Sequence, residues 1–188
     1  MKRDSSNPLP DFAAVFDEHL RAEFELHDAA ATMTTMSESP HLYHVPTMAG
    51  GNGRDEIFVF YRDHFVTKWP KDTTTTHLSR TIGEDQLVDE LVMHFTHDAT
   101  IDALLPGAAP TGKRVALPVV VVVKFRDGKV AHEHIYWDQA CLLVQVGLLD
   151  PCELPVTGVE QANNLLDGSY ATNALLAPRS FESPDKPK

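Results

Sequence analysis

The clearest alternation of apolar and polar positions lies in residues 112–147, where two β-branched runs flank Asp127-Gly128 and lead into a helical pattern. An Asp-Gly pair between two such runs is typical of a two-residue type I′ hairpin, whose central residues both have positive φ. If Arg126 pairs with Lys129, the regular register of this hairpin places His132 opposite Val123.

Side chains alternate between the two faces of a strand, so this register puts four polar side chains on one face. They are His132, His134, Tyr136 and Asp138. Polar groups beside the aliphatic residues of the neighbouring strand are typical of the wall of a mostly apolar ligand pocket. The opposite face is predicted to pack against a second layer or a second subunit, and it carries Ala131, Glu133, Ile135 and Trp137.

The N-terminal part of the chain has a helical pattern. Apolar residues recur at helical spacing after Pro10, which predicts one long amphipathic helix that ends near Thr34. His19 and His27 lie within it, and we interpret both as solvated residues without a chemical role, since histidines on such helices are often exposed.

A second helix is predicted from Asp55 to near Trp69, because its apolar residues form one stripe. Between the helices, Pro40 and Pro46 bound a short extended segment, since a residue before proline avoids the helical region. Tyr43 and His44 in this segment are candidates for the mouth of a pocket, and Trp69 is a candidate for ligand contact. His44 is equally compatible with a buried structural histidine that has found a partner.

Two strands joined near Glu84-Asp85 are predicted between residues 73 and 98. Arg80, in the first of them, is a candidate substrate-binding residue. In the second strand, Asp89 and Leu91 share one face and Glu90 lies on the other. The pattern leaves open which of these faces borders the pocket.

Helices followed by a run of antiparallel strands predict an α+β domain with helices on one face of a curved sheet. We expect residues 1–150 to form this domain, which agrees with a length of 188 residues and a hydrophobic content of 43%. Residues 151–188 are predicted to be a C-terminal extension with a short helix at 159–166 and a disordered polar tail at 180–188.

Charge and hydropathy exclude several classes of partner. A net charge of −11 at pH 7 argues against nucleic acid and anionic membranes, since both require a basic surface. No window approaches the roughly 18 apolar residues of a membrane span, and the first ten residues lack the apolar stretch of a signal peptide. A cytoplasmic protein is therefore expected, and Cys141 and Cys152 alone do not make a disulfide framework.

The end of the second β-branched run carries a family resemblance. Residues 128–149 read GKVAHEHIYWDQACLLVQVGLL. They resemble the closing strand and tail of SnoaL-like polyketide cyclases in the nuclear transport factor two-like superfamily, whose pattern is G-K-(I/V)-x-E-x-W-x-x-x-D-x-x-x-L-x-x-Q-x-G. The preceding PTGKRV resembles the start of that family's previous strand. The similarity covers residues 12–149 and is greatest to a subgroup called carboxymethylenebutenolidase-like.

This resemblance implies a cone-shaped domain, in which N-terminal helices wrap a curved antiparallel sheet around a deep pocket, and a homodimer formed through the outer face of the sheet. It also implies an enzyme that needs no cofactor and acts on a small hydrophobic substrate. Asp138 aligns with the family's catalytic Asp, a general base that removes a C–H proton before ring closure.

With Asp138 as the general base, roles are predicted for the other polar residues of the same strand. His134 would orient Asp138 or shuttle its proton, and Tyr136 would hydrogen-bond a developing oxyanion. His132 joins Tyr136 as a substrate-binding residue. His132 stands where the family has Glu and His134 where it has Trp, so this pocket is expected to be more basic than those of the cyclases.

Four alternatives stay open from the sequence. Asp138 also suits the N-cap of the following helix. His132, His134 and Asp138 would suit a facial triad for iron, manganese or zinc, although a fourth strong ligand is missing and we expect no metal. A lactone or epoxide hydrolase is disfavoured, since Cys141 lacks a G-x-C-x-G elbow and no R-x-D pair occurs. The last alternative is a non-catalytic ligand-binding domain.

Overall fold

The structure is a computed structural model that describes residues 11–176. Its helices are α1 (Phe12–Phe24), α2 (Ala29–Thr34), α3 (Gly53–Phe60), α4 (Gln139–Val146) and α5 (Glu160–Leu166). Its strands are β1 (Met36–His44), β2 (Ala49–Asn52), β3 (Thr74–Ile82), β4 (Gln86–Thr96), β5 (Arg114–Arg126) and β6 (Lys129–Trp137). A π-helical turn at Tyr61–Phe65 extends α3, and a 3₁₀ turn spans Ala174–Leu176. The predicted tail at 180–188 lies outside the described residues.

The six strands form one open sheet in the order β2-β1-β6-β5-β4-β3. Helices and sheet together confirm the predicted α+β class. One detail differs from the prediction, because β1 runs parallel to β6 while the other neighbouring pairs are antiparallel, so the sheet is mixed. Among residues 11–176, no helix is both long and apolar enough to cross a membrane.

The hairpin between β5 and β6 has the predicted turn and a different register beyond it. Asp127 and Gly128 have φ values of 53° and 71°, as a type I′ turn requires. Phe125 pairs with Val130 as predicted, but Lys124 pairs with His132, which leaves Ala131 as an extra residue. This β-bulge shifts the pairing by one residue and exchanges the faces of β6, so the predicted register is wrong from Ala131 onward.

The N-terminal helix is broken in two, which corrects the prediction of one long helix. His27 adopts a left-handed conformation with φ of 50°, and the Asp28 side chain then accepts hydrogen bonds from the first backbone amides of α2. A residue with positive φ cannot continue an α-helix, and Asp is a strong N-cap.

The core lies between the inner face of the sheet and helices α1 and α3. Phe12 of α1 stacks on Phe125 of β5 with ring centroids 4.3 Å apart, and Leu42, Ile57 and Leu117 are fully buried. Each such side chain stabilises the fold by about 1.5–3 kcal/mol. The short C-terminal helix occurs at Glu160–Leu166, close to its predicted position, and the side chain of its Ala162 is buried.

Candidate active site

A cavity of about 570 Å³ lies on the inner face of the sheet. Helix α1, the segment that follows α3 and the central strands β4, β5 and β6 all contribute to its wall. Half of the lining residues are aliphatic or aromatic, including Leu42, Phe65, Trp69, Val121 and Ile135, and most of the lining surface is apolar. The face of β4 that borders the cavity carries Asp89, Leu91 and Met93, which answers the question left open by the sequence pattern.

Strand β6 presents Glu133, Ile135 and Trp137 to this cavity, so the predicted pocket face of β6 is wrong. His132 and His134 lie on the outer face of the sheet, where their rings stack 4.2 Å apart. The outer position follows from the bulge at Ala131, because a one-residue shift moves every later side chain to the other face.

Tyr136, which was also predicted on this face, is 43% exposed and lies outside the cavity lining. His134 Nε2 lies 3.2 Å from Nδ1 of His41, on the neighbouring strand β1. Tyr43 pairs with His134 in the sheet and likewise lies outside the cavity lining.

Asp138 caps helix α4 and lies outside the cavity lining. Its Oδ1 accepts hydrogen bonds from the backbone amides of Ala140 at 2.9 Å and Cys141 at 3.2 Å, and its Oδ2 accepts one from Gln161 at 2.7 Å. The carboxylate is thus used by the helix N-terminus, as the alternative reading of the sequence had it. Neither Asp138 nor His134, the predicted catalytic residues, therefore lines the cavity.

Three of the predicted substrate-binding residues do line the cavity: His44, Trp69 and Arg80. His44 is buried against the rings of Phe60, Phe65 and Trp137. Burial lowers the pKa of His44 to about 4, against the smaller opposing effect of Glu133. His44 is thus neutral at physiological pH.

A buried polar cluster that the sequence analysis missed adjoins the cavity. His19 and Glu23 lie one turn apart on α1, Glu133 comes from β6, and Tyr61 comes from the π-helical turn. His19 Nε2 lies 3.1 Å from Glu23 Oε1, 3.3 Å from Glu133 Oε2 and 3.2 Å from the Tyr61 hydroxyl. Glu23 and Glu133 also line the cavity, so they link His19 to the cavity wall.

The opposite edge of the His19 ring is fixed by Thr35. The Thr35 hydroxyl donates a hydrogen bond of 2.6 Å to the backbone oxygen of Thr32, so it accepts from the Nδ1–H of His19 at 2.6 Å. Burial alone would lower the pKa of His19, but the charges and hydrogen bonds of Glu23 and Glu133 outweigh it and raise that pKa to about 10. His19 is therefore an imidazolium ion at neutral pH.

A second polar group at the cavity is built around Arg80. Its guanidinium donates two hydrogen bonds of 2.7 Å to the carboxylate of Asp89, and one of 2.8 Å to Asp17 on α1. Asp89 is almost fully buried, and the hydrogen bonds that Arg80 donates to Asp89 raise the pKa of Arg80. The cavity lining therefore includes two groups of charged residues, one around Glu133 and one around Arg80.

The chain matches a known domain family. The SnoaL-like domain family matches residues 16–133. The chain belongs to the SnoaL-like domain family. The matched segment of this SnoaL-like chain includes His19, Glu23 and Glu133, and it ends before Asp138. No curated protein matches the sequence.

Solved structures share the fold of this SnoaL-like chain. AclR from Streptomyces galilaeus, provisionally called a hydroxylase, is 21% identical, with a TM-score of 0.55 over 74% of this chain and 87% of AclR. A provisionally assigned SnoaL-like polyketide cyclase from Jannaschia sp. CCS1 is 15% identical, with a TM-score of 0.56 over 79% of this chain and 100% of that one. A nuclear transport factor two-like protein of unknown function from Burkholderia pseudomallei K96243 is 18% identical, with a TM-score of 0.56 over 73% and 98%.

At these identities the three structures show the fold of this SnoaL-like chain and nothing more specific. The signal for its buried cluster was present in the sequence as the spacing His19-x-x-x-Glu23, because residues four apart share one face of a helix. Glu133 was placed on the outer face by the regular hairpin register, and the cluster was therefore not recognised.

Proposed function

We propose that the protein is an acid/base enzyme that abstracts a proton from a small hydrophobic carbonyl compound and needs no cofactor for this step. The proposed general base is Glu133. The observation that carries the proposal is that the Glu133 carboxylate lines a mostly apolar cavity while its Oε2 lies 3.3 Å from Nε2 of the buried His19 imidazolium. A carboxylate at such a position accepts a proton from a ligand in the cavity without competition from bulk water.

His19, Glu23 and Tyr61 are proposed to position Glu133. The His19 ring is fixed by Thr35 on one edge and faces Glu133 Oε2 with Nε2, so it holds one carboxylate oxygen and leaves the other for substrate. A rigid base loses little orientational freedom on reaction, which is the usual advantage of a preorganised site.

Substrate contacts are proposed for His44, Trp69 and Arg80, which all line the cavity. The guanidinium of Arg80 is held by Asp89 and Asp17, which accept three of its five N–H groups. One of the remaining N–H groups is proposed to donate to the carbonyl oxygen of the ligand, which becomes an enolate oxygen when the proton leaves. The aromatic rings of the lining suit a flat apolar substrate.

The family supports this chemistry at a coarse level. SnoaL-like proteins are a family of small-molecule enzymes, and one structural relative carries the provisional name of polyketide cyclase. Cyclisation or isomerisation after proton abstraction is therefore our proposal for the overall reaction. Assembly as a homodimer and a cytoplasmic location remain predictions from the sequence.

The proposal is tested by exchange of C–H for C–D in D₂O, followed by NMR with 2-tetralone and related hydrophobic ketones as probes. We expect the wild-type protein to accelerate exchange and Glu133→Gln to lose at least roughly two orders of magnitude, the usual contribution of a positioned base. Ketone binding, followed by saturation transfer, is expected to survive because the amide keeps the shape of the side chain.

Asp138→Asn is the matched comparison, since it makes the same chemical change at the carboxylate first predicted to be the base. We expect it to retain the wild-type exchange rate. Loss of exchange in Asp138→Asn together with full activity of Glu133→Gln would return the role to Asp138. Ketone binding by the wild-type protein without any acceleration of exchange would indicate a ligand-binding domain.

A further inference from the structure

We propose that His19, Glu23 and Glu133 also form a binding site for one divalent first-row transition-metal ion, which replaces the proton on Nε2 of His19. This inference goes beyond the proton-transfer reaction and does not depend on it. It differs from the sequence-based expectation of a metal-free protein, and it concerns residues other than the outer-face triad considered there.

The three candidate ligand atoms are spaced as a metal site requires. The three candidate atoms all lie within 4.8 Å of one another, with His19 Nε2 at 3.1 Å from Glu23 Oε1 and at 3.3 Å from Glu133 Oε2. A metal bonded at about 2.0–2.2 Å to each ligand requires ligand atoms roughly 3–3.5 Å apart. An ion therefore fits between these side chains with small adjustments of their positions.

The orientation of the His19 ring is fixed by its neighbours. Its Nδ1–H donates to the Thr35 hydroxyl, whose own proton is used by the backbone oxygen of Thr32. This fixes Nε2 as the ring atom that faces the carboxylates. Metal-binding histidines have the same arrangement, with one ring nitrogen on the metal and the other donating to an oxygen.

Nε2 of His19 is surrounded by more oxygen atoms than one N–H can serve. Oxygen atoms of Glu23, Glu133 and Tyr61 all lie within 3.3 Å of this nitrogen. A single N–H has only one good direction for donation, so it serves at most one of these oxygens well. A metal ion bonds several ligands at once, and its two positive charges balance both buried carboxylates, whereas the imidazolium supplies one.

The ligand set indicates which metal ions would bind, and the position at the cavity indicates how a bound ion would affect the proposed reaction. One imidazole with carboxylate oxygens suits zinc, iron, manganese or cobalt, while magnesium and calcium prefer oxygen ligands alone. Glu23 and Glu133 border the cavity, so the ion would have an open position on that side. Coordination would engage the Glu133 carboxylate, and we expect the metal to inhibit the proposed ketone exchange.

The test is a titration of chelator-treated protein with Co²⁺, followed by its visible absorption bands. We expect one Co²⁺ per chain in the wild type and at least roughly tenfold weaker binding in Glu23→Gln, a change that keeps size and hydrogen bonding. His134→Ala is the control, because His134 and His41 form the competing imidazole pair on the outer face. This variant is expected to bind Co²⁺ like the wild type.

X-ray absorption at the zinc edge, measured on the zinc-loaded wild-type protein, identifies the ligands of the metal without relying on the folding of a variant. One imidazole together with oxygen ligands is the expected coordination. Failure to bind one equivalent of Co²⁺, loss of binding in His134→Ala, or coordination by two or more imidazoles would each overturn the proposal. Ketone exchange measured on the chelator-treated protein separates this outcome from the fate of the proposed function.

Discussion

The buried imidazolium of His19 leads to a specific prediction for the stability of the metal-free protein as pH is raised. The pKa of His19 is about 10 in the folded chain and near 6.5 when the residue is exposed in the unfolded chain. Because the folded-state pKa is the higher one, the contribution is fully present below pH 6.5. It is lost progressively as pH rises through the interval to about 10.

The size of this effect follows from the same two pKa values. Between them the folded state holds a proton that the unfolded state has released, so the free energy of unfolding falls by about 1.4 kcal/mol per pH unit. Over the whole interval the loss is on the order of 4–5 kcal/mol. Since domains of this kind are stable by only about 5–15 kcal/mol, the effect is easily measured.

The assay is urea unfolding at several pH values between 6.5 and 9.5, followed by tryptophan fluorescence in the presence of chelator. The reference is the triple variant His19→Gln, Glu23→Gln and Glu133→Gln, which removes every charge of the cluster and keeps side-chain size. We expect the wild type to lose stability with pH much more steeply than this variant.

His64→Gln is the matched single control, because His64 is half exposed and pairs with Asp102 at the surface. It is expected to have the wild-type slope. Equal slopes for the wild type and the triple variant would refute a protonated His19, and so would a neutral His19 in ¹⁵N NMR at pH 8.

Two further predictions concern residues outside this cluster. Asp138→Ala is expected to lower the free energy of unfolding by about 1 kcal/mol through loss of the α4 cap, and Asp138→Asn to change it by only a few tenths, both in urea unfolding. Arg80→Met leaves the buried carboxylate of Asp89 with His77 Nε2, at 3.3 Å, as its remaining ion-pair partner, so we expect a loss of roughly 3–5 kcal/mol in thermal unfolding, part of which Asp89→Asn restores in the same background.

Those parts of the fold that depend on local chemistry could be predicted from the sequence. Asp127-Gly128 identified the hairpin turn, because few other dipeptides tolerate positive φ at both positions. The apolar stripe after Asp55 identified α3. The break after α1 was missed, since a His at positive φ has no strong sequence signature, although Asp28 was available as a cap.

The buried cluster depends on contacts that no local pattern contains. His19 and Glu133 are 114 positions apart in the chain and meet only because α1 lies across the inner face of the sheet. The spacing His19-x-x-x-Glu23 placed these two side chains on one face of the helix, but no local pattern indicated that this face is buried. By contrast, His44, Trp69 and Arg80 had been named as candidate substrate-binding residues, and all three line the cavity.

The bulge at Ala131 explains both the wrong register and the apparent departure from the family pattern. It lies where β6 begins to pair with β1, and the Val130 amide there donates to the backbone oxygen of Thr35, just before β1. This is a tertiary contact between segments that are distant in the chain, so the sequence of the hairpin does not predict it. Counting Ala131 as an inserted residue moves Glu133 into the place where the pattern has Glu, and it also moves Asp138, Leu142 and Gln145 one place away from theirs. Because Glu133 lines the cavity and the two histidines lie on the outer face, we propose Glu133 as the general base.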